Sequence, residues 1–193
     1  MSELPYFWRA NSGGKYCALD SLQNVPDAHE IAYGKTRAVG FPANAQYRMN
    51  SEFKKQIALA DNLWGPGGHR VISARLKDFI EARKPTGVEF LSVSIINHKG
   101  KVASADYFIL HPVRILDCVD QKRSTFVWNP IDKDLIASCS ELVFDLAAIP
   151  EDALIWRPRH LYYDVFVQRR LADDIVAGGF TGVRFKEIEE YGG

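Results

Sequence analysis

The sequence predicts an α+β fold, a single compact body that contains two related helix-turn-strand units and additional antiparallel strands. The first reason is a gapless internal repeat, because residues 75–90 (RLKDFIEARKPTGVEF) and 170–185 (RLADDIVAGGFTGVRF) are identical at nine of sixteen positions. Ordinary composition gives about one such match by chance. The second reason is that short alternating apolar runs between turn residues fill much of the remaining chain, which is typical of antiparallel strands.

Each copy of the repeat predicts a helix, a tight turn and a short strand. Apolar residues recur at the spacing of a helix with one buried face. They are Ile72, Leu76, Phe79 and Ile80 in the first copy and Val167, Leu171 and Ile175 in the second. Ser73 is the expected N-cap of the first helix, and Gln168 takes that position in the second. The first helix is expected to end at Pro85 and the second at Gly178-Gly179, after which a Thr-Gly turn leads into a strand.

Each predicted helix also carries an arginine and an aspartate three residues apart. Arg75 precedes Asp78, and Arg170 precedes Asp173, so each pair lies on one helix face. Exposed pairs of this kind are common and stabilise a helix by about 0.2 to 0.5 kcal/mol. We interpret them as solvated ion pairs of the scaffold rather than as reactive groups.

Residues 1–60 predict a strand-rich segment that forms one body with the domain at residues 61–190. Its expected strands are residues 6–9, 15–19 and 35–41. Residues 51–63 predict a helix capped by Ser51. The inner face of this helix is expected to carry Phe53, Ile57, Ala60 and Leu63. The sequence WGPGGH at residues 64–69 breaks the helix, and we interpret it as a connector between helices.

Further strands are predicted after the first copy of the repeat. They cover residues 89–97, 104–120, 125–129 and 154–156. Residues 98–101 are the expected hairpin turn between the first two, and residues 157–160 are an expected loop before the second helix. Residues 141–149 fit either a strand or a short helix, and the polar tail after Phe185 is expected to fray.

The composition is that of an ordinary globular protein without a global electric field. Lys plus Arg and Asp plus Glu each number 24, so a charged partner must be recognised through a local patch. The N-terminus lacks the pattern of a signal peptide, and the apolar runs are far shorter than the ~20 residues of a membrane span. The three cysteines have no paired spacing. Reduced thiols and a cytoplasmic location are therefore expected, with no membrane partner.

The chain offers few candidates for chemistry. Its five histidines fall in no metal-binding spacing, and WGPGGH lacks the Lys-Ser/Thr end of a phosphate-binding loop, so we expect no metal and no cofactor. A hydrolase that uses Cys17 or Cys118 with a distant histidine is the enzyme alternative. No local signature accompanies either thiol, and a buried structural role is the simpler interpretation.

The best candidates for partner binding lie in the two loops that precede the repeated helices. They are Trp64 and His69 in the first loop and Arg157, Arg159, Tyr162 and Tyr163 in the second. Arginine beside tyrosine or tryptophan is typical of protein interfaces, while arginines interleaved with aromatic rings also suit single-stranded nucleic acid. A nucleic-acid or scaffold-binding module is therefore a further alternative, and zero net charge makes nucleic acid the weaker partner. A third candidate is the acidic tail with Glu187, Glu189 and Glu190, which suits a basic protein surface.

The repeated pattern resembles a known protein family. The segments VISARLKDFIE with TGVEF, and VFVQRRLADDI with TGVRF after LIWR, are similar to those of bacterial immunity family eleven, over residues 61–188. Such proteins are encoded beside polymorphic toxins. The resemblance implies a protein that is not an enzyme and that protects the producing cell by binding a cognate protein toxin and blocking it by steric occlusion. It implies no catalytic residues, and neither the residues nor the resemblance indicates an oligomeric state.

Overall fold

The computed structural model describes residues 3–9 and 15–192, which contain two α-helices and twelve strands. The helices are α1 (Ala74–Glu81) and α2 (Arg169–Ala177). The strands are β1 (Tyr6–Trp8), β2 (Gln46–Arg48), β3 (Asn62–Gly65), β4 (His69–Ser73), β5 (Val88–Ile96), β6 (Val102–Pro112), β7 (Ile115–Leu116), β8 (Thr125–Trp128), β9 (Ile136–Glu141), β10 (Ile155–Pro158), β11 (Phe166–Val167) and β12 (Phe185–Lys186). The α+β prediction is confirmed.

Ten of these strands form two five-stranded sheets. The first sheet has the order β2-β5-β6-β4-β3, and the second has the order β12-β1-β11-β10-β7. Neighbouring strands are antiparallel except for β2 with β5 and β7 with β10. Strands β8 and β9 form a separate antiparallel hairpin. The N-terminal segment contributes to both sheets, since β1 lies in the second and β2 in the first.

The two helix-turn-strand units occupy equivalent places in the two sheets. Helix α1 joins β4 to β5, and β6 lies between these strands, antiparallel to both. Helix α2 joins β11 to β12, and β1 lies between them in the same way. The registers correspond as well, because Val71 lies opposite Ile109 in the first sheet, and Phe166, 95 positions after Val71, lies opposite Phe7 in the second. The central strand of the second unit therefore comes from the opposite end of the chain.

The start of α1 and the end of α2 follow their sequence signals, whereas α1 ends at Glu81, four residues before Pro85. The Ser73 hydroxyl accepts a hydrogen bond from the backbone N–H of Leu76, which confirms the predicted cap. Gln168 forms no such bond, and its amide nitrogen donates instead to the backbone oxygen of Glu151. Helix α2 ends just before the two glycines, and Gly179 has a φ of +65°, as a helix-terminating glycine is expected to have.

One core cluster contains both helices and strands from both sheets. Its helical members are Leu76, Ile80, Leu171, Ala172 and Ile175. Ile72 and Val167 are buried in the same cluster, but they belong to strands β4 and β11 and not to the helices, contrary to the predicted stripes. The rings of Phe79 and Phe180 meet edge to face, with centroids 4.8 Å apart. The opposite faces of the two sheets carry their own clusters.

The predicted helix at residues 51–63 is wrong. Only Ser51–Phe53 form a single 3-10 turn, and Phe53 and Ile57 are exposed instead of facing a core. The backbone of this segment binds partners distant in sequence. For example, the N–H of Cys17 donates a hydrogen bond to the carbonyl of Ala58 at 2.9 Å. Tertiary pairing thus overrides the local periodicity of the segment.

Two of the three predicted N-terminal strands are also wrong. Residues 35–41 form turns, in which the Glu89 carboxylate accepts hydrogen bonds from the N–H groups of Arg37 and Ala38. Residues 15–19 form only isolated bridges. A charged side chain and not a neighbouring strand binds the backbone at residues 37 and 38, which explains why this run does not become extended.

The arginines of the repeated helices bind groups outside their own helices. Arg75 donates to the Asp61 carboxylate at 3.1 Å and to the backbone oxygen of Gly178 at 2.8 Å. Arg170 donates to the backbone oxygen of Glu151 at 3.0 Å. The predicted Arg-Asp pairs within each helix are therefore wrong, because each guanidinium finds a partner on a neighbouring segment.

The C-terminal tail is docked on the second sheet and does not fray as predicted. Ile188 is buried, and the ring of Tyr191 meets that of Phe7 with centroids 5.0 Å apart. The Tyr191 hydroxyl donates to the carboxylate of Asp164. The apolar side chains that alternate with the glutamates provide this anchor.

Candidate functional site

The loops that precede the two repeated helices lie side by side. Residues 64–69 carry the turn between β3 and β4, so they join strands and not helices, contrary to the prediction. The second loop, residues 159–165, connects β10 to β11. The Arg70 guanidinium joins the two, because its Nη1 donates to the backbone oxygen of Gly68 at 2.5 Å and to that of Tyr163 at 3.2 Å. The fold therefore brings the two loops that carry predicted binding residues together.

A row of partly exposed aromatic side chains extends from these loops to the β8–β9 hairpin. We call it the tyrosine ridge, and it consists of Tyr33, Trp128, His160, Tyr162 and Tyr163. The Tyr163 hydroxyl donates to the Tyr33 hydroxyl at 3.0 Å, and their ring centroids are 5.5 Å apart. The ring of Tyr33 lies 5.9 Å from that of Tyr162, and the ring of Trp128 lies 5.1 Å from that of His160.

One carboxylate connects the two parts of the ridge. The Tyr162 hydroxyl donates to one carboxylate oxygen of Asp134 at 2.7 Å, and Nδ1 of His160 lies 3.0 Å from the other. The hydrogen bond from Tyr162 is the main cause that lowers the pKa of Asp134, so this carboxyl group is ionised at neutral pH. The ridge thus presents aromatic rings around a fixed negative charge.

Two buried arginines hold the loop that carries the tyrosines. Arg157 donates through Nη1 to the backbone oxygen of Tyr162 and through Nε to that of Pro112 at 3.0 Å. Arg70 donates to the backbone oxygen of the next residue, Tyr163. Burial lowers the pKa of Arg70 to about 9 and that of Arg157 to about 10, so both guanidinium groups remain charged at neutral pH. Since these arginines belong to β4 and β10, the two sheets fix the backbone of the ridge.

The predicted binding residues of the two loops divide into accessible and buried groups. The accessible or half-buried ones are Trp64, Arg159, Tyr162 and Tyr163. His69 and Arg157 are buried because β4 and β10 are covered along their length. Nδ1 of His69 lies 2.5 Å from the Tyr47 hydroxyl inside the fold. Burial prevents His69 and Arg157 from touching a partner. Arg157 instead supports the ridge from inside the fold, through its hydrogen bond to the backbone oxygen of Tyr162.

The predicted acidic tail is partly neutralised. Glu187 forms a two-oxygen ion pair with Arg169, and Glu190 lies 3.2 Å from Lys186. Glu189 is exposed and forms no ion pair with any residue in the described part of the chain. The tail therefore presents less free negative charge than its sequence suggests.

Sequence reasoning missed four residues of this surface, Tyr33, Trp128, Asp134 and His160. Tyr33 lies 130 positions from Tyr163, so no local pattern could have joined them. Trp128 carried a usable signal, because an aromatic residue next to the Asn129-Pro130 turn is well placed to remain at the surface.

The two candidate nucleophiles are buried thiols. Burial raises the pKa of Cys17 to about 11 and that of Cys118 to about 12, so the reactive thiolate is scarce at neutral pH. Across residues 3–9 and 15–192, no three His, Cys, Asp or Glu side chains are grouped closely enough to hold a metal ion. Over the same residues, no helix has the length and apolar character needed to cross a membrane.

Because two histidines are buried, we expect the free energy of unfolding to fall when the pH is lowered below neutral. Burial is the main cause that lowers the pKa of His69 to about 3 and that of His111 to about 4, against about 6.5 in an unfolded chain. Between pH 6.5 and about 4 the unfolded state takes up protons that the folded state does not, so the free energy of unfolding falls as the pH falls. Above pH 6.5 both states are neutral at these residues and the effect vanishes.

Urea unfolding at pH 7 and pH 5 measures this effect. The free energy of unfolding is expected to fall by about 4 kcal/mol over this interval, since each histidine contributes up to about 1.4 kcal/mol per pH unit below pH 6.5. The substitution His69→Phe is expected to remove about half of the slope, because it leaves only His111. A free energy of unfolding that is unchanged between pH 7 and pH 5 would contradict the prediction.

Comparison with known proteins gives one family match. Residues 17–190 match the model of an immunity protein family, Imm11. No curated protein matches the chain. The matched range contains both helices and all five residues of the tyrosine ridge, and of the strands it excludes only β1.

Proposed function

Because the chain belongs to the Imm11 immunity protein family, we propose that it binds a cognate bacterial toxin and neutralises it by steric occlusion. The tyrosine ridge is the proposed contact surface. The chain acts as an inhibitor and not as an enzyme, and its partner is a protein and not a nucleic acid. The encounter takes place in the cytoplasm of the producing cell, where its three free cysteines stay reduced.

The composition of the ridge supports this role. Tyrosine and tryptophan are the residue types that most often dominate the binding energy of protein interfaces. They offer a large contact area with few rotatable bonds, so little conformational entropy is lost on binding. Trp64 stacks beneath the Arg70 guanidinium, 4.5 Å from it, beside the ridge, and Arg159 is exposed on the loop that carries Tyr162 and Tyr163.

The observation that carries the proposal is that the ridge is held in place before any partner arrives. The carbonyl groups of Tyr162 and Tyr163 each accept a hydrogen bond from a buried guanidinium, and Asp134 fixes the Tyr162 side chain. A surface that is already ordered loses less freedom on binding, which favours tight association.

The remainder of the chain is proposed to be scaffold. The corresponding connections and registers of the two sheets support descent of both units from one ancestral repeat, seen in sequence at residues 75–90 and 170–185. In this proposal residues 1–60 and 61–190 fold as one unit, because β1 is the central strand of the second repeat. Neither repeat takes part in a reaction.

Protection of cells tests the proposed function. A strain that expresses the toxin encoded beside this gene is expected to survive when the wild-type chain is co-expressed. The substitution Tyr163→Ala is expected to weaken toxin binding by about 2 kcal/mol or more, because it removes an aromatic anchor from the centre of the ridge. Survival should fall accordingly at matched expression levels.

Phe53→Ala provides the matched control. Phe53 is 44% exposed and Tyr163 is 45% exposed, so both substitutions remove an aromatic ring of similar accessibility. Phe53 lies on the 3-10 turn outside the ridge, and its loss is expected to leave protection unchanged. If the wild-type chain neither protects the cells nor binds the purified toxin, the proposed function is wrong.

A further inference from the structure

The hairpin of β8 and β9 ends in a turn that exposes an apolar side chain. The turn covers residues 129–134, and Ile131 at its tip is 93% exposed. We call this turn the Ile131 finger. Val127 in the adjoining strand is also exposed. An apolar residue at such a tip contributes nothing to the core of the chain that carries it, so the Ile131 side chain is accessible to a partner.

The conformation of the finger is fixed by its own polar groups. The side-chain oxygen of Asn129 accepts hydrogen bonds from the N–H groups of Ile131, at 2.9 Å, and Asp132, at 3.0 Å. A carboxylate oxygen of Asp132 accepts one from the N–H of Asp134 at 3.0 Å. Pro130 fixes one further backbone angle. Ile131 is thus presented on a turn that needs no contact from Ile131 itself to keep its shape.

The base of the finger is joined to the tyrosine ridge. Asp134, the last residue of the finger, binds the side chains of Tyr162 and His160. Trp128, which immediately precedes the finger in the chain, packs against the His160 ring. The next residue, Leu135, is buried. The finger therefore rises from the same surface as the ridge, and a protein that covers the ridge meets it.

We infer that Ile131 inserts into an apolar pocket on the toxin, which deepens the proposed function and rests on it. A convex, rigid and apolar tip fits a concave, apolar site, and its flanking Asp132 and Lys133 fit a polar rim. Because the turn is already ordered, insertion immobilises little beyond one side chain. The inserted finger holds the inhibitor over a cleft of the toxin, and the inhibitor thereby blocks access to that cleft.

Titration of a catalytically inactive form of the neighbouring toxin with three full-length chains tests the inference. The substitution Ile131→Asp is expected to raise the dissociation constant at least about 30-fold, equivalent to about 2 kcal/mol, mainly through faster dissociation. The matched control is Val39→Asp, because Val39 is 96% exposed but lies in the turns at residues 35–41. This control is expected to bind as the wild type does.

The outcomes separate the inference from the function on which it rests. If Ile131→Asp binds as tightly as the wild type while Tyr163→Ala binds more weakly, the finger is not inserted and the inference is overturned, although the ridge stands. If the wild-type chain does not bind the toxin, the proposed function fails. Sedimentation of the chain alone tests the other occupant, since a dimer that Ile131→Asp dissociates would place a second copy on the tip and overturn the inference.

Discussion

Replacement of Gly182 by alanine is expected to lower the free energy of unfolding by about 4 kcal/mol, because an added Cβ atom would approach its neighbours more closely there than at any other glycine in the described chain. Gly182 has a φ of +74°, and a Cβ atom there would lie 2.2 Å from the backbone oxygen of Asn62 and 2.7 Å from Cβ of Ala60. Backbone cannot move aside as a flexible side chain can. The Thr-Gly turn must therefore separate from the segment on which it packs.

This turn joins the second repeat unit to the edge strand β3 of the first sheet. The N–H of Asn62 donates to the backbone oxygen of Thr181 at 3.0 Å, and its side-chain amide donates to that of Gly182 at 2.9 Å. The Asp61 carboxylate accepts hydrogen bonds from both the N–H and the hydroxyl of Thr181, each at 2.9 Å. Separation of the turn breaks these bonds together, in a place where Asn62 is buried.

Gly179→Ala is the control for this prediction. Gly179 also has a positive φ, +65°, but a Cβ atom there would have no neighbour within 4 Å. Its replacement is expected to reduce the free energy of unfolding by only about 1 kcal/mol, which reflects backbone strain alone. Urea unfolding of both variants measures the difference. If both substitutions lower the free energy of unfolding equally, the close approach of the turn to residues 60–62 does not contribute to the stability.

Replacement of Arg157 by methionine is expected to lower the free energy of unfolding by about 3 kcal/mol and to weaken toxin binding. Methionine fills much of the arginine volume but leaves the carbonyl groups of Pro112 and Tyr162 without a donor, and each such buried group costs about 1 to 3 kcal/mol. No carboxylate lies within ion-pair distance of Arg157 in the described chain. The loss therefore comes mainly from the carbonyl groups.

The loop that Arg157 holds supplies a second readout. Amide hydrogen exchange at residues 159–165 is expected to accelerate in Arg157→Met before the chain unfolds globally, because the loop loses its anchor. Arg159→Met is the control, since Arg159 is exposed and lies 4.0 Å from Asp117, a contact that contributes little. If Arg157→Met matches this control in stability and in loop exchange, the arginine does not position the ridge.

The sequence predicted those elements whose signals are local. The Ser73 cap, the two glycines that terminate α2 and the hairpin turn between β5 and β6 lie within a few residues of the groups they bind. The segment at residues 51–63 has an equally clear helical period. This segment nevertheless forms no long helix, because its backbone pairs with distant residues such as Cys17. The local sequence pattern contains no information about such distant partners.

The candidate site shows the same division. Residue types and loop positions selected the accessible Tyr162 and Tyr163 together with the buried His69 and Arg157, because they did not distinguish side chains that face the solvent from those that face the core. Arg157 is chemically suited to an interface, and only the three-dimensional fold shows that it binds the backbone of the ridge from inside. Tyr33 joins the ridge through a contact across 130 positions, which depends on the packing of both sheets.

Hydrogen exchange of the chain with and without bound toxin tests the central claim most directly. Binding through the tyrosine ridge is expected to slow amide exchange in residues 159–165 and in the Ile131 finger, and to leave the docked tail at residues 186–192 unchanged. Slower exchange confined to the tail, or to any surface that excludes both the ridge and the finger, would contradict the claim that the ridge is where the toxin is bound.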